Sequence, residues 1–256
     1  MHPMLNIAIR AARAAGDSIV REMDRTCDIS VESKGKNDFV TEVDKNAEDI
    51  IINTIKNAYP EHAFLAEETG QKGEGDFIWI IDPLDGTTNF LHNFPHFAVS
   101  IALQHKGILD QAVVYDPLRQ ELFTASKGKG AQLNNRKIRV SNKKSLNGAL
   151  LGTGFPYNDE IAATHFIKSF KALFPEVAGI RRAGVASLDL SYVACGRLDG
   201  FWEFGLKPWD IAAGALIIQE AGGINVELMG EIDFMKTGNI ISANPKMIKS
   251  MLKKLR

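Results

Sequence analysis

The sequence predicts an α+β fold, with an antiparallel sheet in the N-terminal half and a mixed α/β sheet in the C-terminal half. Three observations carry this. Two long segments of helical apolar periodicity open the chain, short alternating runs broken by turn residues fill residues 97–140, and after about Ser141 strand and helix patterns alternate. Such alternation implies helices layered on sheet. At 256 residues the chain can bury one large core or two modest ones. The division between an N-terminal α+β part, residues 1–142, and a C-terminal α/β part, residues 143–256, is a shift in composition without a linker or repeat.

Leu5, Ile9, Ala12, Ile19 and Met23 recur at helical spacing, so Pro3–Met23 is predicted as an amphipathic helix. A second helix should start at Thr41 and turn Val43, Ala47, Ile50, Ile51, Ile55 and Ala58 inward. It stops at Tyr59-Pro60, because proline disfavours helix in the residue before it. Ala63–Ala66 and residues 77–81 read as strands, followed by strands over 98–103, 112–115, 121–125 and Gly130–Leu133. Segments 149–153, 160–174, 187–194, 200–204, 209–221 and Ile240–Ala243 carry the later alternation.

Composition narrows the function classes. Hydrophobic residues make up 45% and charged residues 24% of the chain, as in ordinary globular proteins. The net charge of −1 supplies no overall basic field, so neither direct nucleic-acid binding nor a membrane partner is expected. The basic residues of 246–256 suit a solvated helix face. Cys27 and Cys195 are too few and too far apart for a disulfide framework or a zinc knuckle. Arg10, Arg13, Asp17 and Arg21 interrupt any secretion signal, and no apolar run reaches the roughly 18 residues of a membrane span. A cytoplasmic location is therefore expected.

The chemistry is concentrated in residues 79–90, Trp-Ile-Ile-Asp-Pro-Leu-Asp-Gly-Thr-Thr-Asn-Phe. An apolar strand runs into an acidic turn, and Gly86 and two threonines open a short helix. Asp82 and Asp85, three residues apart, can face one cavity, and free backbone N–H groups at a helix start can hold an anion. An ordinary surface turn would use the same residue types. Glu67 and Glu68 end another predicted strand and can reach the same sheet edge as Asp82. Asp210 follows Pro208-Trp209 at the start of an apolar helix, where it could complement the helix dipole or ligate a metal. Were Glu67, Asp82, Asp85 and Asp210 to converge, their mutual repulsion would demand cations. All-oxygen donors select Mg2+ or Mn2+, and the backbone carbonyl of Leu84 could add one more oxygen. Two such ions would polarise a phosphoryl group and neutralise the leaving alkoxide of an in-line displacement.

Residues 82–90 together with Glu67-Glu68 and Trp209-Asp210-x-Ala-Ala-Gly-Ala resemble the inositol monophosphatase family of lithium-sensitive, metal-dependent sugar phosphatases. The likeness extends over nearly the whole chain, through Asn37-Asp38-Phe39-Val40-Thr41 to Gly222-Gly223, and looks closest to bacterial inositol-1-monophosphatases. It implies a layered α-β-α-β-α sugar-phosphatase fold. It also implies hydrolysis of a small sugar or polyol phosphate, most simply myo-inositol 1-phosphate, with two to three Mg2+ ions, Mn2+ as a substitute and Li+ as an inhibitor. Metal ligation falls to Glu67, Asp82, the Leu84 carbonyl, Asp85 and Asp210. Catalytic roles fall to Glu67, Thr87 and Asp44, with Asp44 orienting the Thr87 hydroxyl toward the attacking water. Substrate contacts fall to Glu67, Leu84, Asp85, Gly86, Thr87, Arg181, Gly184, Val185, Ala186, Glu203 and Asp210. A homodimer is implied as well.

Several alternatives stay open. Thr41-Glu42-Val43-Asp44 also reads as a variant capping box, in which Asp44 only satisfies a backbone donor, and Glu203 also suits a solvated strand end. Asp38 is taken as a scaffold residue. Lys34 or Lys36 corresponds to a basic loop residue of the family, with a spacing to Asp44 that differs by about one residue from some members. His92 and His96 are four apart, but Pro95 interrupts the helix a shared metal would need, so they are assigned to packing or surface. A phosphatase with an aspartyl-phosphate intermediate would use Asp-x-Asp, whereas Asp82 and Asp85 are separated by two residues. Fructose 1,6-bisphosphate, NADP and adenosine 3′-phosphates are alternative substrates, and a binding role with the transcription and ribosomal RNA processing machinery is an alternative of another class.

Overall fold

The structure is a computed structural model that describes residues 2–23, 31–35, 38–157, 159–229 and 233–255, with only the backbone of 31–35 and 38–41. Helix α1 (Pro3–Met23) buries Leu5, Ala8, Ala12, Ala15 and Ile19 along one face. Small residues let it lie close to the sheet: a Cβ at Gly16 would stand 2.8 Å from the Tyr115 ring. Strands β1 (Val31–Gly35) and β2 (Asp38–Thr41) form an antiparallel hairpin before α2 (Glu42–Ala58). That helix buries Val43, Ala47, Ile51, Ile52 and Ile55, and also Asp44 and Glu48. Ala58, expected inward, is exposed because the helix ends there.

The chain then builds an eight-stranded sheet from β3 (Ala63–Ala66), β4 (Gly70–Lys72), β5 (Phe77–Asp85), β6 (Ala98–His105), β7 (Ile108–Asp116), β8 (Glu121–Ser126), β9 (Gly130–Leu133) and β10 (Arg136–Lys137), ordered β10-β9-β8-β7-β6-β5-β3-β4. Helix α3 (Thr87–Leu91) links β5 to β6. The expectation of an antiparallel sheet holds at every pairing except one: β3 and β5 run parallel. The cause is the tight β3–β4 hairpin, after which the chain crosses to the other side of β3.

The second half contains β11 (Leu150–Thr153), α4 (Glu160–Leu173), β12 (Gly179–Arg181), α5 (Ala186–Ala194), β13 (Gly200–Glu203), α6 (Pro208–Glu220), β14 (Ile224–Glu227), α7 (Phe234–Thr237), β15 (Ile240–Ala243) and α8 (Pro245–Leu255). Its five strands are ordered β12-β11-β13-β15-β14, with β11 parallel to both neighbours and β15 antiparallel to both of its own. The strand sets divide between Lys137 and Leu150. The layers follow as α1/α2, the large sheet, α5/α6, the smaller sheet and α4/α8. Helix α6 buries residues 211–218 without interruption, as a helix between two sheets must. The core around α5 and α6 joins Ile80, Ala98 and Phe123 of the first sheet to Phe201 and Ile240 of the second. The last helix buries Met247, Ile248 and Met251 and turns its lysines outward. Cys195 is a free thiol, and Cys27 lies outside the described residues.

Candidate active site

The parallel pair β3–β5 brings the first two acids together. Ala66 is in register with Ile81, and the amide of Glu67 donates to the Ile81 carbonyl at 3.1 Å. Parallel strands end at the same edge, so Glu67 stands beside Asp82. Strand β5 does not turn there, as the sequence suggested, but continues to Asp85 through a bulge. Asp82 pairs with Ser100 and Asp85 with Ala98, so one extra residue sits opposite β6. In a regular strand, positions three apart face opposite sides. A bulge reverses that alternation and re-aims the following side chain. Pro83, with no N–H to give the ladder, suits the irregular stretch. Asp82 accepts from the Leu84 amide at 3.1 Å.

Beyond the bulge Gly86 adopts φ 102°, and a Cβ there would lie 2.8 Å from a Val185 methyl, so glycine meets both requirements. The Thr87 hydroxyl lies 2.9 Å from Asp44 Oδ1 and 3.1 Å from the Leu84 carbonyl oxygen. It has one proton, and the carboxylate is the stronger acceptor. Asp44 therefore reaches out of its helix to Thr87, across 43 residues. Asn89 Nδ2 donates to the carbonyls of His96 and Ala183, tying this segment to the loop before α5.

Acids from the second half close the cleft. Asp85 Oδ2 accepts from the Ser187 amide at 2.7 Å, capping α5 from 102 residues away. Asp210 is the third residue of α6, and its Oδ2 accepts from the Lys207 amide at 2.7 Å. The helix-start role therefore uses one oxygen and leaves the second. Ser100 Oγ donates to the Trp209 carbonyl, fastening α6 to β6. Glu203 ends β13 with its carboxylate against Gly154, where a Cβ would overlap it at 1.7 Å from Oε1.

Burial and mutual repulsion govern the charges. Asp82 is held well above the usual carboxylate range by burial, then by Glu67, Asp85 and Asp210. Burial pushes Asp85 up to about 6 against the lowering effect of Ser187 and the Ala186 amide. Asp210 rises to about 8 through burial and Asp85, and Glu203 to about 8 through burial, Asp189 and Asp85. Among the described residues no three acidic, His or Cys side chains form a ready-made metal cage. Two of the acids are engaged by backbone amides at helix starts, and like charges do not converge unaided. The donor set nonetheless fits a hard divalent cation that keeps water ligands, because it is all oxygen, acidic and strained toward protonation when left alone.

Three neighbours escaped the sequence reading. Glu48, wholly buried, accepts from the amides of Glu68 and Thr69. Asp189, 2% exposed, is raised by burial and Asp85 and lowered by Arg182. Arg182, not Arg181, carries the positive charge that acts on Asp189 and Glu203. Both arginines are exposed, but Arg181 donates to the Ile180 carbonyl at 3.2 Å and is not the one that acts on Asp189 and Glu203, so the expected substrate contact falls to its neighbour. Two charged residues on the apolar face of α2, Asp44 and Glu48, were a legible signal, as was the lone Asp189 between Leu188 and Leu190. Nothing in the sequence distinguishes Arg181 from Arg182. His96 is buried with Nδ1 3.4 Å from Arg119 and His92 is exposed, so the two share no metal. The side chains of Lys34 and Asp38, and all of Lys36, lie outside the described residues.

Five alternating layers with an acidic, all-oxygen cleft between the two sheets define a phosphatase class. The chain belongs to the inositol monophosphatase family, whose model matches residues 1–256. It is 56% identical over 98% of its length to a Nus factor SuhB of Pseudomonas aeruginosa, covering 95% of that protein. It is 53% identical over its full length to a Nus factor SuhB of Escherichia coli K12, covering 97% of it. Among solved structures it resembles the inositol monophosphatase of Anabaena, with TM-score 0.85 and 37% identity, covering 98% of this chain and 94% of that one.

Proposed function

We propose that the chain hydrolyses a small polyol or sugar phosphomonoester, myo-inositol 1-phosphate foremost, in a Mg2+-dependent reaction. The observation that carries this reading is the burial of Asp82, Asp85 and Asp210, reinforced by the repulsion of Glu67, Asp85 and Asp210 on Asp82 and of Asp85 on Asp210, which favours protons or cations beside these acids. Glu67, Asp82, the Leu84 carbonyl, Asp85 and Asp210 would hold two to three ions. Bound Mg2+, or Mn2+ in its place, supplies Lewis-acid polarisation of the phosphoryl group and neutralises developing charge.

The chain's own groups do the rest. Asp44 keeps the Thr87 proton, so the Thr87 oxygen offers a lone pair to a water, and Glu67 takes that water's proton as general base. Gly86 and Thr87 hold the phosphate. Gly184, Val185 and Ala186 line the substrate side, and Glu203, once deprotonated, accepts hydrogen bonds from vicinal hydroxyls. Li+ inhibition, a homodimer and a cytoplasmic setting belong to the same reading. Phosphate release is measured over a panel of inositol, sugar and nucleotide phosphates with and without Mg2+. Preference for inositol 1-phosphate is expected; release independent of Mg2+ would overturn the mechanism, and preference for fructose 1,6-bisphosphate, NADP or an adenosine 3′-phosphate would replace the substrate.

A second reading is favoured by the names of the relatives. We propose that association with the transcription machinery coexists with catalysis and does not use it. Co-purification with RNA polymerase should survive Asp82→Asn; its loss in a folded variant would tie the two roles together.

A further inference from the structure

Helix α2 carries two fully buried acids on one face, one turn apart, and only Asp44 has a place in the reaction described above. Glu48 is the other. Its Oε2 accepts from the Glu68 amide at 2.8 Å and its Oε1 from the Thr69 amide at 3.1 Å. Both carboxylate oxygens are thus spent on the two residues that follow Glu67. On the other side, the Glu67 amide is bonded to Ile81 of β5. Glu67 is therefore held between a strand partner before it and a carboxylate clasp after it, and Glu48 itself never faces the cleft.

We propose that Glu48 is a positioning residue: by clasping the Glu68 and Thr69 amides from α2, it fixes the Glu67 carboxylate at the distance from Asp82 and Thr87 that a divalent cation requires. This rests on the functional reading above. A buried carboxylate that satisfies two adjacent amides leaves the turn with a single arrangement, and the same helix holds Thr87 one turn earlier through Asp44. Helix α2 is then the common rail for two segments of the cleft, which reach it from β3 and β5. Without Glu48 two amides would be left without a partner beside a site where small displacements weaken ligation.

The molecule contains a control with the same hydrogen-bond pattern at a less buried glutamate. Glu220 at the end of α6 makes the same double clasp on Gly128 and Gly130, both at 2.7 Å, on a turn remote from the acids. The experiment uses the full chain. Amide hydrogen exchange at Glu68 and Thr69 is measured first and needs neither metal nor substrate; slow exchange is expected, and fast exchange in the wild-type protein overturns the proposal. Mg2+ binding is then titrated calorimetrically for wild type, Glu48→Ala, Glu48→Gln and Glu220→Ala, well below their melting temperatures. Loss of a group that orients a ligand weakens metal binding by about tenfold or more, which is expected for Glu48→Ala. Glu48→Gln keeps the volume and one acceptor and should fall between it and wild type, while Glu220→Ala binds Mg2+ as wild type does. In turnover, the Glu48 variants should need more Mg2+ yet show an unchanged substrate KM once Mg2+ saturates. Folded Glu48 variants that bind Mg2+ like wild type, or a Glu220 variant weakened equally, would overturn the proposal. A wild-type protein that binds Mg2+ but releases no phosphate would instead overturn the functional reading and leave Glu48 standing.

Discussion

The two halves of the molecule deliver acids to the same cleft by different means. In the first half, Glu67 and Asp82 stand at the ends of two parallel strands in fixed register, Asp85 is re-aimed by a bulge, and α2 braces the neighbourhood through Asp44 and Glu48. In the second half, Asp210 sits in the first turn of a helix and Glu203 at the end of a strand, both partly open to solvent and both pushed up to about 8. The difference teaches a division of labour. Hydrogen-bonded register at the sheet edge fixes Glu67 and Asp82 relative to one another, as the proposed cation ligands would need. In the second half a helix start presents Asp210 beside those acids, and the end of β13 presents Glu203, proposed above for hydroxyl recognition.

The largest expected effect tests whether both halves feed one centre. Asp82→Asn and Asp210→Asn should each lower Mg2+-dependent phosphate release by at least about a hundredfold, since metal stabilisation of the transferring group is worth several kcal/mol. Retained activity in a folded Asp210→Asn protein would confine the centre to the first half. A smaller effect separates recognition from ligation. Glu203→Gln should raise KM for inositol 1-phosphate by about tenfold, the value of one charge-assisted hydrogen bond, and leave KM for p-nitrophenyl phosphate, which has no hydroxyls, nearly unchanged. Gly154→Ala should do the same, because its methyl would occupy the space of the Glu203 carboxylate. Equal effects on both substrates would remove Glu203 from recognition.

The smallest effect is electrostatic. Asp85, Asp210 and Glu203 have folded-state values of about 6, 8 and 8, above the roughly 4 of an unfolded carboxylate. The protonated form is therefore favoured by folding. Its stabilising contribution is complete below about pH 4 and lost as pH rises toward about 8. Bound cations replace those protons, so Mg2+ should raise the melting temperature more at pH 8.5 than at pH 6. A shift independent of pH would mean that Asp85 and Asp210 do not bind the metal.

Much of the site was legible because its residues are chemically conspicuous. Asp82, Asp85, Gly86 and Thr87 sit within six residues, and Asp210 opens a helix that is apolar on every side. What escaped notice was legible only as an inconsistency: Glu48 and Asp189 are charges where periodicity demands apolar residues. The parallel β3–β5 pairing escaped for a different reason. Strand periodicity has the same value in both directions, so it states which face is buried and nothing about direction. The bulge after Asp82 escaped because a proline and an acid also suit a turn.

By itself the sequence determined the donor inventory, the two helices that open the chain, the strand-rich middle and the alternation that follows, since each depends on local periodicity and residue chemistry. Only the tertiary structure decided which acids meet, that Arg182 faces them while Arg181 does not, and that Asp44 holds Thr87. Those outcomes depend on strand direction, register and burial across tens of residues, and the burial and repulsion that hold these carboxylates toward protonation exist only after the chain has folded around them.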